Sequence, residues 1–211
     1  WGQREQMIRG LLTTVQIAAL AALLGGALGL ALFAMSLLSR RAAVARGLMA
    51  LIDTMRCIPF MLLCYLLYYG LPYWGIRLDN WVAGIAALTL YNAAYIAELL
   101  RGAWLDLPAD YAEAGAAFGF HGWRLVGRVI LPPVLLQAVP MLGNQLIQII
   151  KDSAFLVIIA VQELTYAANE IQATYYVPFA SFVVAVLCYW LLCVLVETGV
   201  RAGVRFAERR R

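Results

Sequence analysis

Residues 10–39, GLLTTVQIAALAALLGGALGLALFAMSLLS, contain no charged side chain. About 20 mostly apolar residues in a helix cross the roughly 30 Å of bilayer hydrocarbon, so this run is long enough to span a membrane. It is too long for the apolar part of a cleavable signal peptide and lacks a cleavage pattern, and it is read as a retained span. Gly25, Gly26 and Gly29 give it a small-residue face on which a second helix can lie closely. Four further charge-free runs lie between Arg56 and Arg77, Asn80 and Glu98, Arg128 and Lys151, and Glu170 and Glu197. The predicted fold is all-α, a single polytopic membrane domain over 1–211. Its five transmembrane helices fall at about 10–38, 48–71, 80–102, 129–151 and 174–200, with a cytoplasmic loop at 103–128. Pro59 is expected to kink the second span. The stretch after Asp152 is too short for another span and is expected to form a re-entrant or interfacial helix that gates the outward opening.

Composition excludes several alternatives. The chain has 211 residues, 64% hydrophobic and 13% charged, against about 45–50% apolar and about 25% charged in soluble domains. A soluble globule and a disordered chain are both ruled out. A single histidine, His121, cannot build a bis-histidine haem site or a His-rich metal cluster, and it reads as a surface or interface residue. Cys57, Cys64, Cys188 and Cys193 lie in apolar runs without C-x-x-C spacing, as buried small hydrophobes do. Lys151 is the only lysine and no phosphate-binding glycine loop precedes it, so any ATP chemistry, with its Mg2+, belongs to a partner chain. No cofactor, metal or nucleic acid is expected on this chain, and the histidines, paired acids and nucleophile–base sets of an enzyme are missing.

Five alternating spans sort the cations onto two sides. One side receives Arg40, Arg41, Arg46, Arg101, Arg124, Arg128, Arg201, Arg205, Arg209, Arg210 and Arg211; the other receives Arg4, Arg9 and Arg77. The cation-rich side is cytoplasmic by the positive-inside rule, placing the N-terminus outside and the C-terminus inside. The connection from Arg101 to Pro132 reads as two short helices. Pro108, Asp110 and Glu113 suit a helix start, and Gly119 and Gly122 suit an exit. Ala112, Gly115, Ala116 and Gly119 recur at helical spacing as a small-residue docking face.

Polar residues also recur inside the spans. Gln137, Met141, Asn144, Gln145, Gln148 and Asp152 follow the helical period in the fourth, and Tyr91, Asn92, Tyr95 and Glu98 cluster in the third. Such a stripe must face protein or water, because an acid in the hydrocarbon costs roughly 2.5–3.5 kcal/mol. Asp152 either lines a cavity or pairs locally with Lys151. Glu98 either meets a substrate ammonium or pairs with Arg101 three residues on. Asp53 and Arg56, at the same spacing, read as an internal pair.

The segment Glu113-Ala114-Gly115, then Gly119, then Val129-Ile130-Leu131-Pro132 resembles the EAA loop, E-A-A-x3-G-x9-I-x-L-P, of ABC importer permeases, with Gly115 and Val129 as small departures. RCIPFMLLCYLLYYGLP (56–72), AAYIAELLRGA (93–103) and GNQLIQIIKDSA (143–154) are similar to motifs of the polar amino acid branch, with Cys57, Ser153 and Ala154 departing. The resemblance implies a type I ABC importer transmembrane domain in the bacterial inner membrane. Its expected partners are a second permease subunit, identical or paralogous, two ATP-binding cassette ATPase subunits, and an extracytoplasmic solute-binding protein that delivers an amino acid. It implies a coupling helix carrying Ala112, Glu113, Ala114, Gly115, Ala116 and Gly119, with Glu113 facing an arginine of the ATPase; Glu113 as simple support for the helix dipole is the other reading. It also implies a substrate pathway at Tyr95, Glu98, Asn144, Gln148 and Asp152. A self-sufficient secondary transporter or channel subunit is the alternative function, but such proteins commonly carry inverted repeats, and none is evident.

Overall fold

The computed structural model describes residues 2–39 and 41–208; Arg40, Arg209, Arg210 and Arg211, which enter the charge count, lie outside the described residues, as does the side chain of Arg205. Among the described residues eight helices follow in order: α1 (Gly2–Leu38), α2 (Ala42–Cys57), α3 (Phe60–Trp74), α4 (Asn80–Leu105), α5 (Asp110–Ala117), α6 (Trp123–Ile159), α7 (Leu164–Tyr175) and α8 (Pro178–Glu208). No strand occurs among the described residues. Helices α1, α4, α6 and α8 are each long and apolar enough to cross a membrane, and α2 with α3 passes the same test only as a bent pair, the geometry of a broken span or a re-entrant loop.

The break between α2 and α3 is sharper than the expected kink, at 103°. Its cause is local. A residue before proline is pushed out of the helical region, and Ile58 is extended (φ −79°, ψ 130°), as is Pro59 (ψ 130°). The break leaves carbonyls of the last α2 turn without helical partners, and the Tyr95 hydroxyl of α4 donates to one of them, Arg56 O, at 3.1 Å. Cys57 ends α2 at this break and is exposed, against the expectation of burial; Cys64 is buried, and all four cysteines are free thiols.

Helix α1 lies along α4 through its glycine face. A Cβ on Gly29 would come within 2.8 Å of the Ala93 carbonyl oxygen and of Ile96, and one on Gly25 within 3.4 Å of Thr89 O. Gly26 lies off this face and has nothing within 4 Å. Asn92, fully buried in α4, accepts from Gln145 Nε2 of α6 at 2.6 Å and donates to Leu88 O. This polar pair fixes which faces meet, because without Gln145 the side-chain oxygen of the buried Asn92 would lose its donor.

Two apolar clusters set the alternation of the helices. Phe33, Leu100, Ala103, Val126 and Ile130 bring the C-terminal ends of α1 and α4 to the start of α6. Leu164, Ala168 and Ala185, with Met7 and Leu11, bring α7 and the start of α8 to the opposite end. Helix α6 begins earlier than the expected span, so the second short helix of the loop is its first turns. Pro132 and Pro133 cannot return hydrogen bonds to the preceding turn, which is π-helical over Val126–Ile130.

The segment after Asp152 forms a 3-10 turn, Ser153–Ile159, and then α7. Glu163 has no exposed surface and caps α7: its carboxylate accepts from Thr165 N and Tyr166 N at 2.8 Å each and from the Tyr189 hydroxyl of α8 at 2.6 Å. Thr14 of α1 accepts the Leu164 N–H at 3.1 Å.

Candidate functional site

The docking helix is built so that one side is held and the other is free. Gly115 is buried: a Cβ there would lie 2.5 Å from Leu125 and 3.1 Å from Val129. It therefore seats α5 on the start of α6 instead of contributing to an outer docking face, and Ala112 is half-buried beside it. Gly119 adopts φ +81°, with its N–H bonded to Ala116 O and that of Phe120 to Gly115 O at 3.0 Å each. This is the double-bonded helix stop that glycine allows, so its backbone conformation, rather than clearance for a partner, requires glycine. Glu113, Ala114 and Ala116 are exposed. Around them Phe118 is 83% and Trp123 64% exposed, large apolar groups at the end of the molecule opposite α7. His121 is exposed in the same loop.

The pathway residues named from the sequence fall into three places. Tyr95 and Glu98 sit where α2 meets α4. Arg101 holds Glu98 with two hydrogen bonds, 2.7 Å from Nε and 2.6 Å from the terminal nitrogen. Arg56 lies 3.7 Å from Glu98, 3.3 Å from Asp53, and over the Tyr95 ring at 5.5 Å. Asp53, Arg56, Glu98 and Arg101 form a charge-balanced row, of which the sequence reading identified only the Asp53–Arg56 and Glu98–Arg101 pairs. Gln148 and Asp152 form the second place: Gln148 Nε2 donates to Asp152 Oδ1 at 2.7 Å, while the other carboxylate oxygen is buried without a partner. A carboxylate accepts several hydrogen bonds, so this oxygen is ready for a donor. Between the two places Tyr91 meets Tyr95, with ring centroids 4.9 Å apart, and Phe60, at 5.4 Å. Asn144 lies apart, exposed, lining a cavity of about 310 Å³ between α6 and α8 with Gly143, Glu197 and Arg201.

Arg56 bridging to Glu98, the Asn92–Gln145 pair and the Glu163 cap escaped assignment as site residues. Asn92 and Gln145 stand in the polar rows of the third and fourth spans, and Glu163 is a lone acid within LVIIAVQELTYAA. No group of three or more potential metal-ligating His, Cys, Asp or Glu side chains occurs among the described residues.

Residues 23–205 match the model of the binding-protein-dependent transport system inner membrane component family. The chain belongs to that family. It is accordingly a multi-pass inner-membrane transport subunit, not an enzyme, and the family implies an ATPase and a solute-binding protein as partners. The permease is 32% identical over 161 residues, 76% of its length and 73% of the relative's, to a probable glutamine ABC transporter permease protein, GlnM, of Bacillus subtilis. It is 34% identical to the glutamine transport system permease protein GlnP of Escherichia coli, over 75% of this chain and 72% of that one. Among solved structures, an amino acid ABC transporter crystallised with histidines superposes with a TM-score of 0.87 at 26% identity, covering 96% of this chain and 94% of the other. The inward-facing MetNI methionine ABC transporter shares the fold, with a TM-score of 0.81 at 22% identity, over 96% of each chain.

Proposed function

We propose that this permease pairs with a second permease subunit, identical or paralogous, to form the pathway by which a polar amino acid enters the cell. In this reading a solute-binding protein delivers the amino acid outside, and two cassette ATPases, which bind ATP and Mg2+, drive the cycle from inside. The observation that carries the reading is the unsatisfied polar face of α6. Gln137, Asn144 and Gln148 are exposed in a membrane-spanning helix, and Asp152 keeps an orphan oxygen. Hydrocarbon cannot face such a stripe without cost, so it needs a second subunit and a wet or ligand-filled pathway. The glutamine and amino acid relatives support the substrate class.

The row geometry divides the work of the two acids. Glu98 is already neutralised by Arg101 and Arg56, so Asp152, with its free acceptor and Gln148 beside it, is the group that meets a substrate ammonium, and Tyr95 and Glu98 shape the wall below it. Uptake into vesicles by the reconstituted complex tests this: Asp152→Asn keeps the shape, removes the charge, and is expected to lower transport about tenfold or more, the effect of losing one charge-assisted bond of roughly 1.5–3 kcal/mol. Glu98→Gln is expected to lower the yield of folded complex first, with Arg101→Gln partly restoring it by removing the unpaired charge. Full uptake in Asp152→Asn would remove the acid from the pathway.

Topology is tested separately. Single cysteines at Gly2 and Arg211, in a background without the native four, are expected to react with an impermeant reagent from outside only and inside only, respectively. The reverse pattern would overturn the five-crossing orientation.

A further inference from the structure

The end of the molecule opposite the docking helix holds a second polar feature. A cavity of about 570 Å³ opens between the first turns of α1, Trp81 at the start of α4, and α7. That is within the usual size of small-ligand sites, about 300–1,000 Å³. Its floor is closed by the close approach of Gly10 to Ala167, where a Cβ on Gly10 would lie 3.0 Å from the Ala167 Cβ. Facing helical rows make the walls: Arg9, Thr13 and Gln16 from α1, and Gln162, Tyr166 and Glu170 from the α7 side.

The walls are only partly satisfied by each other. Gln6 donates to Glu170, and Arg9 lies 3.8 Å from Glu5, a loose pair. The side chains of Thr13, Gln16 and Gln162 make no hydrogen bond among the described residues, although Thr13 and Gln16 stand inside the first apolar run. Unpartnered amide and hydroxyl groups at that position call for water or a polar ligand. The charge narrows the choice: two carboxylates, Glu5 and Glu170, oppose one guanidinium, Arg9. A simple anion meets net repulsion, whereas a molecule with both an ammonium and an anionic oxygen finds a partner for each.

We propose that this cavity binds such a zwitterion, with its anionic oxygen toward Arg9 and its ammonium toward Glu170 and Glu5. Two sources present this chemistry on the outer side: a free amino acid waiting above the pathway, and the headgroup of phosphatidylethanolamine. The amino acid source rests on the substrate class proposed above; the lipid source does not.

The test uses the complex of permease and ATPase without ATP in nanodiscs, with labelled L-glutamine as one probe in discs of phosphatidylglycerol alone, and phosphatidylethanolamine retained in native mass spectra as the other. Arg9→Gln and Glu170→Gln, each compared with the unsubstituted complex, are expected to weaken one or both probes at least tenfold. Loss of L-glutamine alone assigns the site to free amino acid, and loss of phosphatidylethanolamine alone assigns it to lipid. Gln162→Leu, which changes an exposed side chain, repeats the test should either charge variant fail to assemble. If the wild type binds no L-glutamine anywhere, the substrate-class reading fails and the lipid probe alone decides the cavity. Retention of both probes unchanged in the assembled variants would overturn the proposal.

Discussion

Glu113→Lys is expected to abolish substrate-stimulated ATP hydrolysis and uptake while the permease remains inserted and folded. The side chain is exposed in the first turn of α5 and makes no hydrogen bond or ion pair among the described residues. What holds α5 is Gly115 against Leu125 and Val129, together with the helix stop at Gly119. Reversing the charge therefore leaves the helix seated but presents a cation to the arginine proposed on the ATPase. Breaking a docked charge pair costs about 2–5 kcal/mol, roughly thirtyfold or more in coupling. Were Glu113 only supporting the helix dipole, worth about 0.3–1 kcal/mol, ATP hydrolysis and uptake measured on purified complex would stay within a few-fold of wild type.

Gly29→Leu is expected to remove most of the folded protein from the membrane, whereas Gly26→Leu, one turn face away, leaves the yield near wild type. At Gly29 even a Cβ would stand 2.8 Å from the backbone oxygen of Ala93, and backbone cannot swing aside as a side chain can. Helices α1 and α4 would have to separate along the most extensive packing in the molecule. Overpacking a tight contact costs about 1–3 kcal/mol, occasionally more, and here the displacement also pulls on the Asn92–Gln145 pair. Monodisperse yield in detergent for the two variants reads the difference directly.

These expectations show where sequence was informative. Charge-free runs of membrane length gave the crossings, because hydrocarbon imposes a one-dimensional constraint that a chain must obey locally. The EAA-like loop was legible for the same reason: a short helix with its own start and stop signals is set by neighbouring residues. The direction each loop residue faces was not local. Gly115 and Ala116 are adjacent and both small, yet one is buried and the other exposed, a distinction decided by Leu125 and Val129 across a turn. Likewise Glu98 and Arg101 could be paired from their spacing, but Arg56 joins them only because Pro59 breaks α2 from α3 and Tyr95 takes the freed carbonyl. Asn144 and Gln145 both belong to the polar stripe, and only the side chains packed around α6 determine that Gln145 turns to α4 while Asn144 turns toward α8.

The central claim is that this chain forms a pathway driven by partner ATPases and fed by a binding protein. Its most direct test is accumulation of labelled L-glutamine in proteoliposomes containing the permease and its cassette ATPase, with ATP inside and the solute-binding protein outside. Accumulation and ATP hydrolysis are expected to rise together when the binding protein is added and to vanish without either ATP or that protein. Accumulation driven by an ion gradient, with neither ATP nor the binding protein required, would contradict the account and identify a self-sufficient secondary transporter instead.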